Sequence, residues 1–306
     1  MFADRGMISL SPSISVYEPG QKAIIAWNGE KEVMILSTDV KATGNTKVLE
    51  IVPFYSKPEI EEANFDSFYL LEDMFTLRTD APVNYTEPGL TIVAHETIGP
   101  HDLTTISVDF SQESSQKTYA TKFEAFVLPY LKSIGFNSIS FPDNLDKILE
   151  HYSRNGHRSF YCVLDVIDVN SEVKSVVPLA YTFDAYELYY PLVISQLTPG
   201  KTNIQLYIIM EGILDVFLSS IYSHSSIYPF KIGYRDDAPY NTPMIKYLDK
   251  SQLEQIDPRI AELFSESKES IFVTAIEFSG DADEFRNDFE ANYVLRHFEI
   301  KPEWSK

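Results

Sequence analysis

Apolar positions along this chain recur with two different periods, and the periods sort it into strands and helices. Ala23-Ile24-Ile25-Ala26-Trp27 runs up to Asn28-Gly29, a dipeptide suited to a two-residue hairpin turn, and Glu32-Val33-Met34-Ile35-Leu36-Ser37 returns from it. A further turn at Thr43-Gly44-Asn45 leads into Lys47-Val48-Leu49-Glu50-Ile51-Val52, so residues 22–55 predict an antiparallel meander. Ser56-Lys57-Pro58-Glu59 has the spacing of a capping box, and Ile60, Phe68, Leu71 and Phe75 share a helical face, which predicts a helix over 57–75. Residues 76–89 read as loop, and strands follow at about 90–97 and 102–110, joined at Gly99-Pro100. Phe123, Phe126, Val127, Tyr130, Leu131 and Ile134 repeat at helical spacing over 119–134. Asp143 then opens a shorter helix carrying Leu145, Ile148, Leu149 and Tyr152.

Strand patterns return at 158–168, 174–184, 188–197 and 202–210, with Asn170-Ser171 and Pro199-Gly200 as turns. Residues 211–250 give no clear period. Ser251 and Glu254 have capping-box spacing for a helix over 252–264, Ile271 to Phe278 reads as a strand, and 282–297 as a last amphipathic helix. Strands grouped in hairpins, rather than alternating singly with helices, predict an α+β fold: mainly antiparallel sheet built from hairpins and meanders, with about five packing helices. Two parts are expected, an α+β domain over 1–210 and a C-terminal α+β extension over 211–306, either packed into the same globule or folded as a separate domain.

Charge narrows the partners. With 25 Lys+Arg against 45 Asp+Glu the net charge is −20, which repels phosphate backbones and anionic membrane surfaces, so nucleic acid is not an expected partner. No run approaches the roughly 18–20 apolar residues of a membrane-spanning helix. The one cysteine, Cys162, excludes an internal disulfide and a cysteine-built zinc site, and its setting in Ser-Phe-Tyr-Cys-Val-Leu reads as an inert core thiol.

Candidate chemistry is sparse. Walker, dinucleotide-binding, zincin, nucleophile-elbow and C-x-x-C motifs are all missing. His95-Glu96-Thr97-Ile98-Gly99-Pro100-His101-Asp102 puts two histidines and two acids in eight residues across an expected hairpin. Imidazole and carboxylate are what zinc or another first-row metal takes, which makes His95, His101 and Asp102 the candidate metal ligands; no other cofactor is expected. The structural alternative has His101 and Asp102 hydrogen-bonding the turn backbone, with His95-Glu96 a solvated strand end. Asp281, Asp283, Glu284 and Asp288 suggest a calcium loop, but Phe285 stands where a ligand belongs, and acids at a helix start are expected from its dipole. Tyr181, Tyr186, Tyr189 and Tyr190 read as strand aromatics rather than a stacking site, and Asn84-Tyr85-Thr86 is a lone glycosylation sequon.

Several runs resemble a prokaryotic family catalogued as a domain of unknown function, number twenty-three thirty, and are most similar to its archaeal members. They are Asp4-Arg5-Gly6-Met7-Ile8, the stretch from Val16 to Gly29, Ile35-Leu36-Ser37-Thr38-Asp39, Lys47 to Pro53, Ser56-Lys57-Pro58-Glu59, Ile98-Gly99 with His101-Asp102, and Tyr189 to Ser195. The resemblance covers about residues 4–210 and implies an exported or cell-surface protein, because such members carry a leader peptide. A cleaved leader upstream of about Ala3 is therefore expected. The family brings no activity with it. The expectation is a non-catalytic binding or structural domain with an envelope or extracellular protein partner; the alternative is a metal-binding protein or metal-dependent hydrolase using residues 95–102.

Overall fold

The chain turns at Asn28-Gly29. In the computed structural model, which describes residues 5–75, 94–98, 101–109, 118–136, 139–154, 159–198, 200–214, 231–232, 245–285, 287–291 and 294–295, β2 (Val16–Trp27) and β3 (Lys31–Ala42) pair antiparallel around that step. Gly29 has φ +99°, and the Asn28 side chain accepts from the backbone N–H groups of Glu30 and Lys31 at 3.0 and 2.8 Å. The hairpin is the centre of a nine-stranded sheet. β10 (Leu179–Asp184) extends it beyond β3 and carries β5 (Glu59–Glu62) at its edge, while β9 (Lys174–Ser175) also lies on β3. On the other side β12 (Lys201–Glu211) runs parallel to β2, and β16 (Ile271–Asp281) pairs with β12 along all eleven residues. β14 (Lys231–Ile232) and β15 (Ile245–Leu248) lie on β16. Residues 271–281 thus share one sheet with residues 16–42.

A second, five-stranded sheet is antiparallel throughout, in the order β1 (Gly6–Ser9), β4 (Thr46–Phe54), β8 (Ser159–Val169), β7 (His101–Asp109) and β6 (Ala94–Ile98). Strand alternation gives each sheet two apolar faces, and the packing follows. Trp27, Met34, Leu36, Leu206 and Ile208 of the large sheet meet Val52, Phe54, Leu103 and Val163 of the small one in a shared core. The opposite face of the large sheet, with Ile24, Ile35, Ile209 and Val273, is covered by α1 (Asp66–Phe75), α4 (Lys250–Ile256) and α5 (Pro258–Leu263). The opposite face of the small sheet, with Leu49, Ile51, Leu164 and Val166, takes α2 (Tyr119–Ser133) and α3 (Leu145–Arg154). The result is four layers, helix–sheet–sheet–helix. It is an α+β fold of mostly antiparallel hairpin-built sheet, as the sequence pattern predicts, with five helices among the described residues. No helix among the described residues is long and apolar enough to cross a membrane.

Six features differ from the sequence expectation. The meander over 22–55 ends after one hairpin, because β4 leaves β3 and pairs with β1 and β8 in the small sheet. Residues 57–75 do not form one helix: 59–62 are strand, recruited by β10, and the helix starts at Asp66. Residues 174–184 break into β9 and β10, and 188–197 break into β11 (Leu188–Tyr190) and a 3-10 turn over Val193–Leu197. The 252–264 helix is two helices, because Asp257 ends the first and caps the second, with Pro258 at its first position; the first is capped by Asp249 with Gln252, not by Ser251 with Glu254. The final helix over 282–297 is replaced by a 3-10 turn over Ala282–Glu284, then β17 (Phe289–Ala291) and β18 (Val294–Leu295). The 76–89 loop, the Gly99-Pro100 joint and the Asn84 sequon lie outside the described residues.

Candidate functional site

His101 opens β7 and is fully buried between the sheets, and so is its neighbour Asp102. One ring nitrogen, Nε2, donates to the carbonyl of Val177 at 2.8 Å; the other, Nδ1, meets Asp165 Oδ2 at 2.5 Å. The backbone N–H of Asp102 donates to the other oxygen of the same carboxylate at 3.0 Å. Asp165 on β8 is the cross-strand partner of Glu50 on β4, and Glu50 is bonded to the guanidinium of Arg5. Arg5 also reaches Asp165 at 3.9 Å and the carbonyl of Leu36 in the large sheet at 3.5 Å. Arg5, Glu50, His101 and Asp165 therefore form one buried charge network, tied to the large sheet through Leu36 and to the Val177 carbonyl next to β10.

Burial works against the charged ring of His101, but the carboxylate of Asp165 and its hydrogen bond outweigh it, and His101 holds its proton above the ordinary histidine range. Glu50 is pushed up by burial more than the Arg5 guanidinium pulls it down. The imidazole is thus an ionic tie, held at both nitrogens by protein acceptors, and neither nitrogen directs a lone pair at a cation.

The expected convergence of residues 95–102 is not the one the ladder makes. His101 pairs with Ile98 and His95 with Thr104, so the two histidines lie three rungs apart, roughly 10 Å at ~3.3 Å per rung, not across a pair. The side chain of His95 is outside the described set. The ring of His101 and the backbone N–H of Asp102 have partners outside the hairpin, Asp165 on β8 and the Val177 carbonyl just before β10. Among the described residues no group of three or more His, Cys, Asp or Glu is arranged to hold a metal ion.

A second cluster lies where the pattern predicted a plain helix. Asp288 is buried, and its Oδ1 accepts from the N–H of Val193 at 2.8 Å and from the hydroxyl of Tyr152 at 3.1 Å. Its Oδ2 lies 3.4 Å from His151 Nε2. The Tyr152 hydroxyl accepts in turn from the N–H of Ile194 at 3.0 Å. Glu290 Oε1 accepts from the hydroxyl of Tyr55 at 3.0 Å, and the Tyr55 ring lies 4.7 Å from that of Tyr189. Burial and the nearby Asp288 carboxylate push Glu290 up to about 7. Of the tyrosines read from sequence, 181, 189 and 190 are core, while Tyr186 is 94% exposed.

No family model matches the chain, and no curated protein is found similar to it. Among solved structures, a mutated baculovirus P35 after caspase cleavage is similar over 90% of this chain and 99% of that one. It is 11% identical, with a TM-score of 0.39.

Sequence reasoning passed over Arg5, Glu50 and Asp165 as site residues. A signal was there: Glu50 and Asp165 are lone acids inside Val-Leu-Glu-Ile-Val and Val-Leu-Asp-Val-Ile. An acid within an apolar strand run has to find a partner, since a buried charge is tolerated only when paired.

Proposed function

We propose that this protein is a non-catalytic, exported or cell-surface domain that acts by binding or as structure, with an envelope or extracellular protein as its partner. One observation supports the non-catalytic part: His101 is buried with both ring nitrogens held, by Asp165 and by the Val177 carbonyl, and Asp102 is buried beside it. Export rests on the family resemblance and fits the strong acidity, which favours solubility and opposes contact with nucleic acid or anionic lipid.

Metal content of the wild type purified without chelator, beside His101→Ala, tests the first part. The expected result is protein without stoichiometric zinc or manganese, and a His101→Ala variant that melts at a lower temperature. Stoichiometric metal that disappears in His101→Ala would replace this proposal with a metal-dependent activity at residues 95–102. The genomic reading frame tests the second part: a leader peptide upstream of about Ala3 is expected, and an in-frame stop directly before Met1 overturns export.

A further inference from the structure

Phe285 and residues 287–291 are fastened to the globule mainly through side chains. The backbone contributes a three-rung ladder between β17 and β11, with Leu188 opposite Ala291, Tyr189 opposite Glu290 and Tyr190 opposite Phe289. Gln196 Nε2 donates to the carbonyl of Phe285 at 2.6 Å, and the rings of Phe285 and Phe289 are buried. Two carboxylates add further attachments. Asp288 takes the Val193 N–H, the Tyr152 hydroxyl and the His151 contact; Glu290 takes the Tyr55 hydroxyl.

The groups facing Glu290 come from every neighbouring element. Tyr55 follows β4, Glu187 precedes β11, Tyr189 lies on β11, His151 and Tyr152 belong to α3, and Asp288 is two residues away on its own segment. Among the described residues that face it, Asp288 and Glu187 are carboxyls like Glu290 itself, and His151 can carry positive charge. A second ionised carboxylate beside Asp288 therefore faces mostly like charge in a partly buried setting, where repulsion is poorly screened.

We infer that residues 287–291 are a proton-operated strap over β11: closed while Glu290 carries a proton, and loosened when it ionises beside Asp288 and Glu187. Phe285, buried just before the segment, anchors its start, so ionisation frees the β11–β17 ladder. Loosening would expose an unpaired strand edge at Leu188–Tyr190, which is the kind of edge an extended partner segment pairs with.

Burial raises Glu290 most, then Asp288; the Tyr55 hydrogen bond lowers it, Glu187 raises it and His151 lowers it, and the balance moves it from 4.5 to about 7. A carboxyl raised on docking favours the docked state fully below its ordinary value, and that advantage is lost as pH rises through about 7. Amide hydrogen exchange of the whole protein, corrected for the chemical rate at each pH, reads the strap directly. Between about pH 6 and about pH 8.5 the amides of β11 and β17 should exchange about tenfold faster relative to those of the β2–β3 hairpin, after discounting for the partial exposure of Glu290. Glu290→Gln should keep the ladder protected across that range. Tyr55→Phe removes a donor that favours the ionised carboxylate, so it should move the midpoint to higher pH. A wild-type ladder indifferent to pH, an equal response in Glu290→Gln, a midpoint unmoved or lowered in Tyr55→Phe, or acceleration shared by the β2–β3 amides would each overturn the inference.

Discussion

Arg5 and Glu50 are each fully enclosed, so neither charge has water to fall back on. Removing one member of such a pair strands the other, and breaking a buried pair costs about 3–5 kcal/mol. Arg5→Met should destabilise the protein by about that amount in denaturant titration, and Glu50→Gln by less, because a neutral amide still offers hydrogen bonds. In the double variant the penalties should not add, since Arg5→Met no longer leaves an ionised Glu50 behind; strict additivity would show that the two side chains do not act as a unit. Residue by residue, the sequence was a fair guide to what is apolar and a poor one to which charges meet. Cys162 reads as a core thiol from its neighbours and is buried. The meeting of Arg5, Glu50, His101 and Asp165 depends on the order of β1, β4, β8 and β7, and no local window holds that order.

At the scale of elements, local chemistry prevailed where it was sufficient in itself. The Asn28-Gly29 turn is one such place, because a positive φ and two Asn28 side-chain hydrogen bonds fix it without help from the rest of the fold. A Cβ added at Gly29 meets nothing within 4 Å, so the cost of a side chain there is purely the backbone's. Gly29→Val should therefore destabilise by about 1–2 kcal/mol, as strain at a single left-handed position predicts, and a melting temperature equal to the wild type's would contradict it. Where the pattern misled, a tertiary partner outweighed it. Residues 59–62 follow a good helix-start signature, yet β10 offers an edge and Ile60 pairs opposite Tyr181. Residues 289–291 join β11, though their apolar spacing also suits a helix. Asp257-Pro258 was readable in principle: an acid before a proline ends one helix and begins the next.

For the whole molecule, the pH dependence of stability is set by two effects of the same sign. Glu32, buried with one oxygen accepting from the N–H of Tyr189 at 2.8 Å, is raised by burial; Glu50 is raised; Glu290 is raised to about 7; and His101 is raised by Asp165 despite its burial. Each of these groups binds its proton more tightly folded than unfolded, so each contributes stability below its unfolded value and loses it as pH rises through its folded one. Net charge adds to this. At −20 the folded chain already repels itself, and every further ionisation deepens the repulsion. The melting temperature should accordingly fall from about pH 6 to about pH 8.5. Salt separates the two causes. Going from about 0.01 M to about 0.5 M shortens the screening length several-fold, so it should raise the melting temperature and flatten the part of the slope that comes from surface repulsion. The slope that survives in high salt belongs to the buried groups, and Glu290→Gln should reduce it further. A melting temperature that rises over this pH range, or a slope that salt removes completely, would mean that the buried carboxyls and His101 are not held as the structure holds them.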